Sequence, residues 1–298
     1  MRVAITGSTG LIGQALVASL RADRHEVLRV VRRPAAAGEV VWDPDRGAID
    51  AAALEGLDAA VHLAGAPIAE GRWNEARKRE IKDSREKGTR LFAETLTHLD
   101  RPPAVLVSGS AIGWYGNRGD EILAETAPPG ADFVSEVGRV WEGALEPART
   151  HGIRVVILRT GIVLTARGGA LRKMLPPFRL GAGGVLGSGR QWMSWIDLDD
   201  HIGVVRHAIG VSTLSGPVNA AAPNPVTNRE FTRTLGRVLH RPVIFPMPAF
   251  AARLVFGEVA DELLLSSTRV SAERLLSSGF AFRYPTLEAS LRHALAGV

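Results

Sequence analysis

The chain has 298 residues, 46% of them hydrophobic, with 36 Lys and Arg against 31 Asp and Glu and no cysteine. That length supports one large or two modest cores, and the missing cysteines exclude disulfides, thiolate metal sites and a thiol nucleophile. The net charge of +5 rests on scattered arginines, with Lys78, Lys82, Lys87 and Lys173 the four lysines, so no nucleic-acid partner is expected, which would need a basic patch with interleaved aromatics.

Val3–Ile5 forms an apolar strand that runs into glycines at Gly7, Gly10 and Gly13, and Leu11–Leu20 then has the apolar spacing of a helix. Glycine allows a tight turn and close backbone approach to a bulky anion. The helix start offers unpaired N–H groups and a partial positive charge to a diphosphate. The spacing is G-x-x-G-x-x-G, and its place between strand and helix makes Gly7, Thr9, Gly10, Leu11, Ile12 and Gly13 the candidate dinucleotide loop. The second strand, His25–Val31, ends in Arg32 and Arg33, where an NAD site would place a carboxylate for the ribose 2′-hydroxyl. Guanidinium groups suit a 2′-phosphate instead, so NADP(H) is favoured over NAD(H).

Gly56–Ala64 reads as the next strand, closing on Gly65, and Arg72–Leu99 as a long helix with a charged face. Ala104–Ser108 is a strand, Phe133–Arg149 a helix and Arg154–Leu158 a strand. Short apolar runs alternating with helices predict an α/β fold, a doubly wound parallel sheet covered on both faces. Right-handed crossovers gather the strands' carboxyl ends, and the ligand, along one edge. Leu63, Ala64 and Gly65 should then skirt the adenosine or its ribose, and Ser108 and Gly109 the nicotinamide side. His62 reads as a satisfied core histidine.

Beyond residue 165 the pattern loosens, and seven glycines between Gly168 and Gly189 mark 166–195 as a glycine-rich loop near the cleft. Residues 1–165, completed by 196–222, make the dinucleotide-binding domain. Residues 223–298, with Pro223, Pro225, Pro242, Pro246 and Pro248 and helices near 249–256, 258–265 and 286–295, read as a smaller C-terminal domain. Trp192 and Trp195 suggest lid or core packing, with stacking on a substrate ring the alternative, and Asp197 and Asp200 helix capping, with hydrogen bonds to a sugar the alternative. His201 and His207 lie six apart, off one helix face, so no metal is expected. No apolar run reaches the ~18 residues of a membrane span. A strand beginning at residue 2 leaves no room for a signal peptide, so the cytoplasm is the expected location.

Five segments together resemble the extended short-chain dehydrogenase/reductases: TGSTGLIG at 6–13, DAAVHLAG at 58–65, SGSAIGWYG at 108–116, LRTGIVL at 158–164 and SWIDLDD at 194–200. VVWDP at 40–44, the 72–91 helix, NAAAPNPVTNREF at 219–231 and SGFAFRYPTLEASLRHAL at 278–295 are most similar to the atypical nucleoside-diphosphate-sugar epimerase-like branch, whose tail is a domain of unknown function. The resemblance implies a Rossmann fold, a nicotinamide cofactor approached by Thr160 and Gly161, and a serine with a Tyr-x-x-x-Lys pair. Hydride transfer at a carbinol needs a base for the hydroxyl proton, and a tyrosine serves only with a cation nearby.

That pair is absent. The two tyrosines, Tyr115 and Tyr284, are followed four residues later by Gly119 and Glu288. Aligned on Glu142, the pair's positions hold Val134 and Gly138; one residue earlier, they hold Phe133 and Val137. Ser110 matches the family's serine, and Tyr115 lies in the following loop where it could enter the cleft. Glu136 and Arg139 flank the vacated positions and could act as base and anion clamp, although their i, i+3 spacing equally fits a solvated pair. Two functions follow: an NADP(H)-dependent oxidoreductase or epimerase-like enzyme on a small or nucleotide-sugar-like substrate, or an NADP(H)-binding regulatory protein without catalysis. A homodimer through the 72–99 helix is a further expectation.

Overall fold

The computed structural model describes residues 1–33 and 35–296; the last two residues of the expected C-terminal domain lie outside the described residues. The strands of the main sheet are β1 (Arg2–Thr6), β2 (Glu26–Val31), β3 (Glu39–Asp43), β4 (Ala48–Ile49), β5 (Ala59–His62), β6 (Val105–Ala111), β7 (Arg154–Thr160) and β8 (Gly216–Ala220). They lie in the order β8-β7-β6-β5-β1-β2-β3-β4, all parallel except the β3–β4 pair. The helices that matter to the site are α1 (Leu11–Ala22), α2 (Glu75–Thr97), α3 (Phe133–Gly143) and α4 (Leu198–Gly210).

Side-chain alternation covers the sheet twice. Val3 and Ile5, Val105 and Val107, and Val156 and Leu158 pack with Leu16 and Leu20 of α1 and Ile202 and Val205 of α4. Alternating with them in sequence, Ala4, Leu106, Val155 and Ile157 face the other way, onto Phe92 and Leu96 of α2 and the Trp42 ring of β3. The VVWDP segment is therefore a strand that supplies a core tryptophan. Register aligns Thr6 with His62 and His62 with Ser108, so these polar residues form one row where the sheet meets its carboxyl edge.

Several boundaries differ from expectation for local reasons. The long helix starts at Glu75, because the Asn74 side chain caps it by accepting from the Arg77 N–H at 2.8 Å. The helix expected over 133–149 breaks after Gly143, and a short one, Glu146–Thr150, resumes with Pro147 in its first turn. The stretch read as loop carries a helix, Gly169–Arg179, whose Leu171, Leu175 and Phe178 are buried. Its glycines hid an amphipathic period. The 258–265 helix is a π-helical turn, Ala260–Leu264.

A third core joins Leu171, Leu175 and Trp195 to Phe231, Leu235, Leu287 and Leu291. The tail is also stapled by charge. Asp200, 1% exposed, accepts the Arg283 and Tyr284 N–H groups at 2.7 and 2.9 Å. Asp197 caps α4 through the Asp199 N–H and accepts from Ser290 Oγ at 2.8 Å, with His293 Nδ1 at 3.2 Å. On α2, Lys78 pairs with Glu258 at 2.6 Å and Lys82 with Glu136 at 2.9 Å, so part of its charged face is engaged within the chain. Among the described residues no helix is long and apolar enough to cross a membrane. Phe231→Ala should cost ~3–5 kcal/mol by urea denaturation, as expected for a fully buried ring; a change under ~1 kcal/mol would show that the third core is peripheral to stability.

Candidate functional site

The turn after β1 closes against two backbones at once. Gly7 has φ +64°, and a Cβ there would stand 2.6 Å from the Leu63 carbonyl carbon. A Cβ on Gly13 would stand 2.2 Å from the Gly7 oxygen. Gly10 donates to that same oxygen at 2.9 Å and then caps α1 with no side-chain hydrogen bond. The first turn of α1 thus presents N–H groups that no side chain covers, next to exposed Thr9 and Gly10 and half-buried Leu11 and Ile12.

At the end of β2, Arg33 and Arg29 both reach Glu39 Oε1, at 2.6 and 3.0 Å, and Ala36 N–H binds Oε2 at 2.9 Å. The Ala36 N–H, followed by Arg33, holds the Glu39 carboxyl below its ordinary range. Glu39 is an acidic neighbour from β3 that sequence spacing did not reveal. Arg32 is exposed, and three arginines against one glutamate leave the patch positive.

The β5 end is tied down by a buried relay. Thr6 Oγ1 accepts from the Leu63 and Ala64 N–H groups at 3.1 and 3.3 Å and meets His62 Nδ1 at 2.8 Å; His62 Nε2 meets Thr89 Oγ1 at 2.9 Å. Burial, with a smaller push from the Arg85 charge, lowers His62 to about 3, so it is a neutral core group. Gly65 beyond it is exposed. Across the row, Ser108 is buried with its hydroxyl on the Gly109 oxygen at 3.1 Å, and a Cβ on Gly109 would lie 3.3 Å from the Trp141 ring. Thr160 Oγ1 meets His201 Nε2 at 3.0 Å, and Gly161 packs so tightly that a Cβ would stand 2.7 Å from the Ser194 oxygen.

The structure draws Ser110 and Tyr115 into one network rather than into open space. Ser110, 4% exposed, donates to Glu142 Oε1 at 2.7 Å, and Arg159 grips both Glu142 oxygens at 2.8 and 2.9 Å. Arg159 also donates to the Tyr115 hydroxyl at 3.1 Å and stacks on the Trp114 ring at 4.0 Å. Tyr115, fully buried, donates to Asn219 Oδ1 at 2.7 Å instead of pointing into the cleft. Burial raises its pKa, with Arg159 opposing. Sequence reasoning missed Arg159, although a charge inside the apolar run RVVILRT was its signal.

The vacated pair positions are packed shut. A Cβ on Gly113 would stand 2.2 Å from Val134 Cγ1, and one on Gly138 3.3 Å from the Trp114 Cα. Glu136 pairs with Lys82 and Arg139 donates to the Gly130 carbonyl at 2.6 Å, so they pair neither with each other nor with Ser110. A different carboxyl arrives there from the C-terminal segment: Glu262 accepts from the Phe133 and Val134 N–H groups at 3.2 and 2.9 Å. Burial raises its pKa against those two hydrogen bonds. Asp197, Asp199 and His293 bring possible ligand atoms within 4.8 Å of one another, but Asp197 is already committed to capping and to the tail. A groove of about 670 Å³ lies elsewhere, between α1, α4 and the tail around Arg167, Arg206 and Arg283.

Residues 3–219 match the family described as NAD dependent epimerase/dehydratase, and residues 247–294 match a domain of unknown function. An epimerase family protein of Mycobacterium bovis is 45% identical over 98% of this chain and 97% of its own. The crystal structure of a human epimerase family protein, SDR39U1, with NADPH superposes with a TM-score of 0.92 at 36% identity, covering 100% of both chains. A nucleoside-diphosphate sugar epimerase from Corynebacterium glutamicum gives 0.81 at 38% identity, over 99% of this chain and 58% of that one.

Two outcomes follow from this geometry. Arg159→Met should cost ~3–5 kcal/mol by denaturation, because it strands a buried carboxylate; Arg159→Met with Glu142→Leu should recover part of that. His62, lowered to about 3, and His201, lowered by burial to about 4, take up protons on unfolding from pH 6.5 downward while the folded forms stay neutral. Stability is therefore full above 6.5 and falls as pH drops, at up to ~1.4 kcal/mol per pH unit for each histidine. Denaturation between pH 7.5 and 5 should show this slope, and a flat profile would show that neither group is held neutral.

Proposed function

The chain belongs to the NAD dependent epimerase/dehydratase family, and we propose that it binds NADP(H) along the carboxyl edge of the sheet and acts as an oxidoreductase or epimerase-like enzyme on a small or nucleotide-sugar-like substrate. The observation that carries this reading is the turn where neither Gly7 nor Gly13 has room for a Cβ and the α1 start has no side-chain cap. A diphosphate is the ligand such a cradle suits. The NADPH complex of the human relative supports the cofactor, as do Arg32 and Arg33 at the end of β2.

The proton relay is carried differently from the Tyr-x-x-x-Lys scheme. Val134 and Gly138 offer no titratable group, and Ser110 reaches a substrate oxygen only by leaving Glu142. Glu262, held at the Val134 N–H with a raised pKa, is the group we assign to proton transfer. The second reading, an NADP(H)-binding regulatory protein, is favoured by the packing of Val134 on Gly113 and of Gly138 on Trp114. A structure of the NADPH complex separates them. The enzyme reading requires an acid–base group within ~3.5 Å of a ligand oxygen beside nicotinamide C4, and a wall of Phe133, Val134 and Val137 alone would leave the regulatory one.

Calorimetric titration tests the cofactor. Arg32→Ala with Arg33→Ala should weaken NADPH about 10–100-fold, the worth of a charge-assisted phosphate contact, and leave NADH within about threefold. Equal losses for both cofactors would refute the 2′-phosphate assignment.

A further inference from the structure

Arg85 of α2 is 8% exposed, yet no carboxylate pairs with it among the described residues. Buried cations are ordinarily paired. Both acceptors of Arg85 are main-chain carbonyls, Ala66 at 3.0 Å and Ile81 at 3.1 Å, and both are taken by Nη1. The Nε–Nη2 edge, the fork that grips a carboxylate or phosphate with two parallel bonds, has no acceptor among the described residues. The charge acting on Arg85 has its own sign: Arg77, whose Nε is buried without a partner among the described residues. Burial first, then Arg77, lowers Arg85 to about 10, which leaves it cationic at neutral pH.

Its place in the fold gives this charge a use. The guanidinium carbon lies 4.8 Å from the centroid of the Trp141 ring, and that ring packs against Gly109 at the end of β6. Close by is Gly65, just after β5, where a Cβ would stand 3.3 Å from the guanidinium carbon. Glycine at 65 therefore lets the chain after β5 pass close to the Arg85 guanidinium with no side chain between them. Trp141 follows Gly138 by three residues, about one turn of α3, so the ring on which the Arg85 guanidinium lies belongs to the same helix as the position where the lysine is missing.

We infer that Arg85 is the recognition group for an oxyanion, a carboxylate or phosphate, carried by the substrate. The inference rests on the dinucleotide reading only for what lies next to that oxyanion. The cofactor's own phosphates are the other source of the same chemistry, although the α1 turn and the Arg32–Arg33 end of β2 already provide for them.

The test is calorimetric titration of inorganic phosphate and of malonate into the free protein and into the NADPH-saturated protein. Either anion should bind with NADPH in place. Arg85→Met should lose about tenfold or more of that affinity, and Arg85→Lys, which keeps the charge without the fork, should lose less. NADPH affinity should stay within about twofold in both variants, and the lysine variant keeps the comparison open should the methionine variant fold poorly. Anion binding unchanged in Arg85→Met, or absent from the parent protein, overturns the inference. Displacement of the anion by NADPH, with matching loss of NADPH affinity in the variants, overturns it by assigning the fork to the cofactor. Failure of NADPH to bind at all would instead sink the dinucleotide reading, while the free-protein titration still reports on Arg85.

Discussion

The buried pair between Arg159 and Glu142 organises the centre of this molecule. One guanidinium crosses from β7 to α3, takes both carboxylate oxygens, supports the Tyr115 hydroxyl and stacks on Trp114. Glu142 in turn takes the Ser110 hydroxyl from β6, and Tyr115 reaches Asn219 on β8. Three strands, one helix and the turn after β6 are thereby fixed in a single charged cluster away from water. Such a pair gains little net stability over an apolar substitute. Its effect is positional: α3 is held at a depth where Val134 and Gly138 pack directly onto the 112–115 turn.

That depth explains why the loss of the tyrosine and lysine leaves no hole. A missing large side chain in a rigid frame ordinarily leaves a cavity with a cost in proportion to its volume. Here Gly113 and Gly138 let the turn and the helix close up, and the Glu262 carboxylate from the C-terminal part lies on the Phe133 and Val134 N–H groups at the helix start.

Much of the frame was legible in the sequence because it is local. Strand-length apolar runs, glycines that leave no space for a Cβ, and an amphipathic α1 each carry their own signal, and the alternation of Val3, Ala4 and Ile5 already implies two covered faces. Boundaries moved where capping or proline acted, as at Asn74 and Pro147. The helix at Gly169–Arg179 was masked by flanking glycines. The site was legible only in part, since Glu39 reaches Arg33 from the next strand, and Glu262 for Val134 and Lys82 for Glu136 come from distant segments, with no spacing rule for any of them. Tyr115 illustrates the limit: its position after β6 is readable, but its direction depends on Asn219, about a hundred residues onward.

The stapling of the tail carries a consequence for how the chain can be divided. Asp197 and Asp200 are each 1% exposed and draw their donors partly or wholly from residues beyond 280. A fragment ending near 219, where the family match stops, would keep both carboxylates while losing Ser290, His293 and the Arg283 and Tyr284 amides. Asp200 would then lose both N–H donors, and Asp197 would keep only the Asp199 N–H of its own helix. The start of α4 and the tail beyond residue 280 are thus bound through shared buried hydrogen bonds, and a cut between them falls within one packing unit rather than between two.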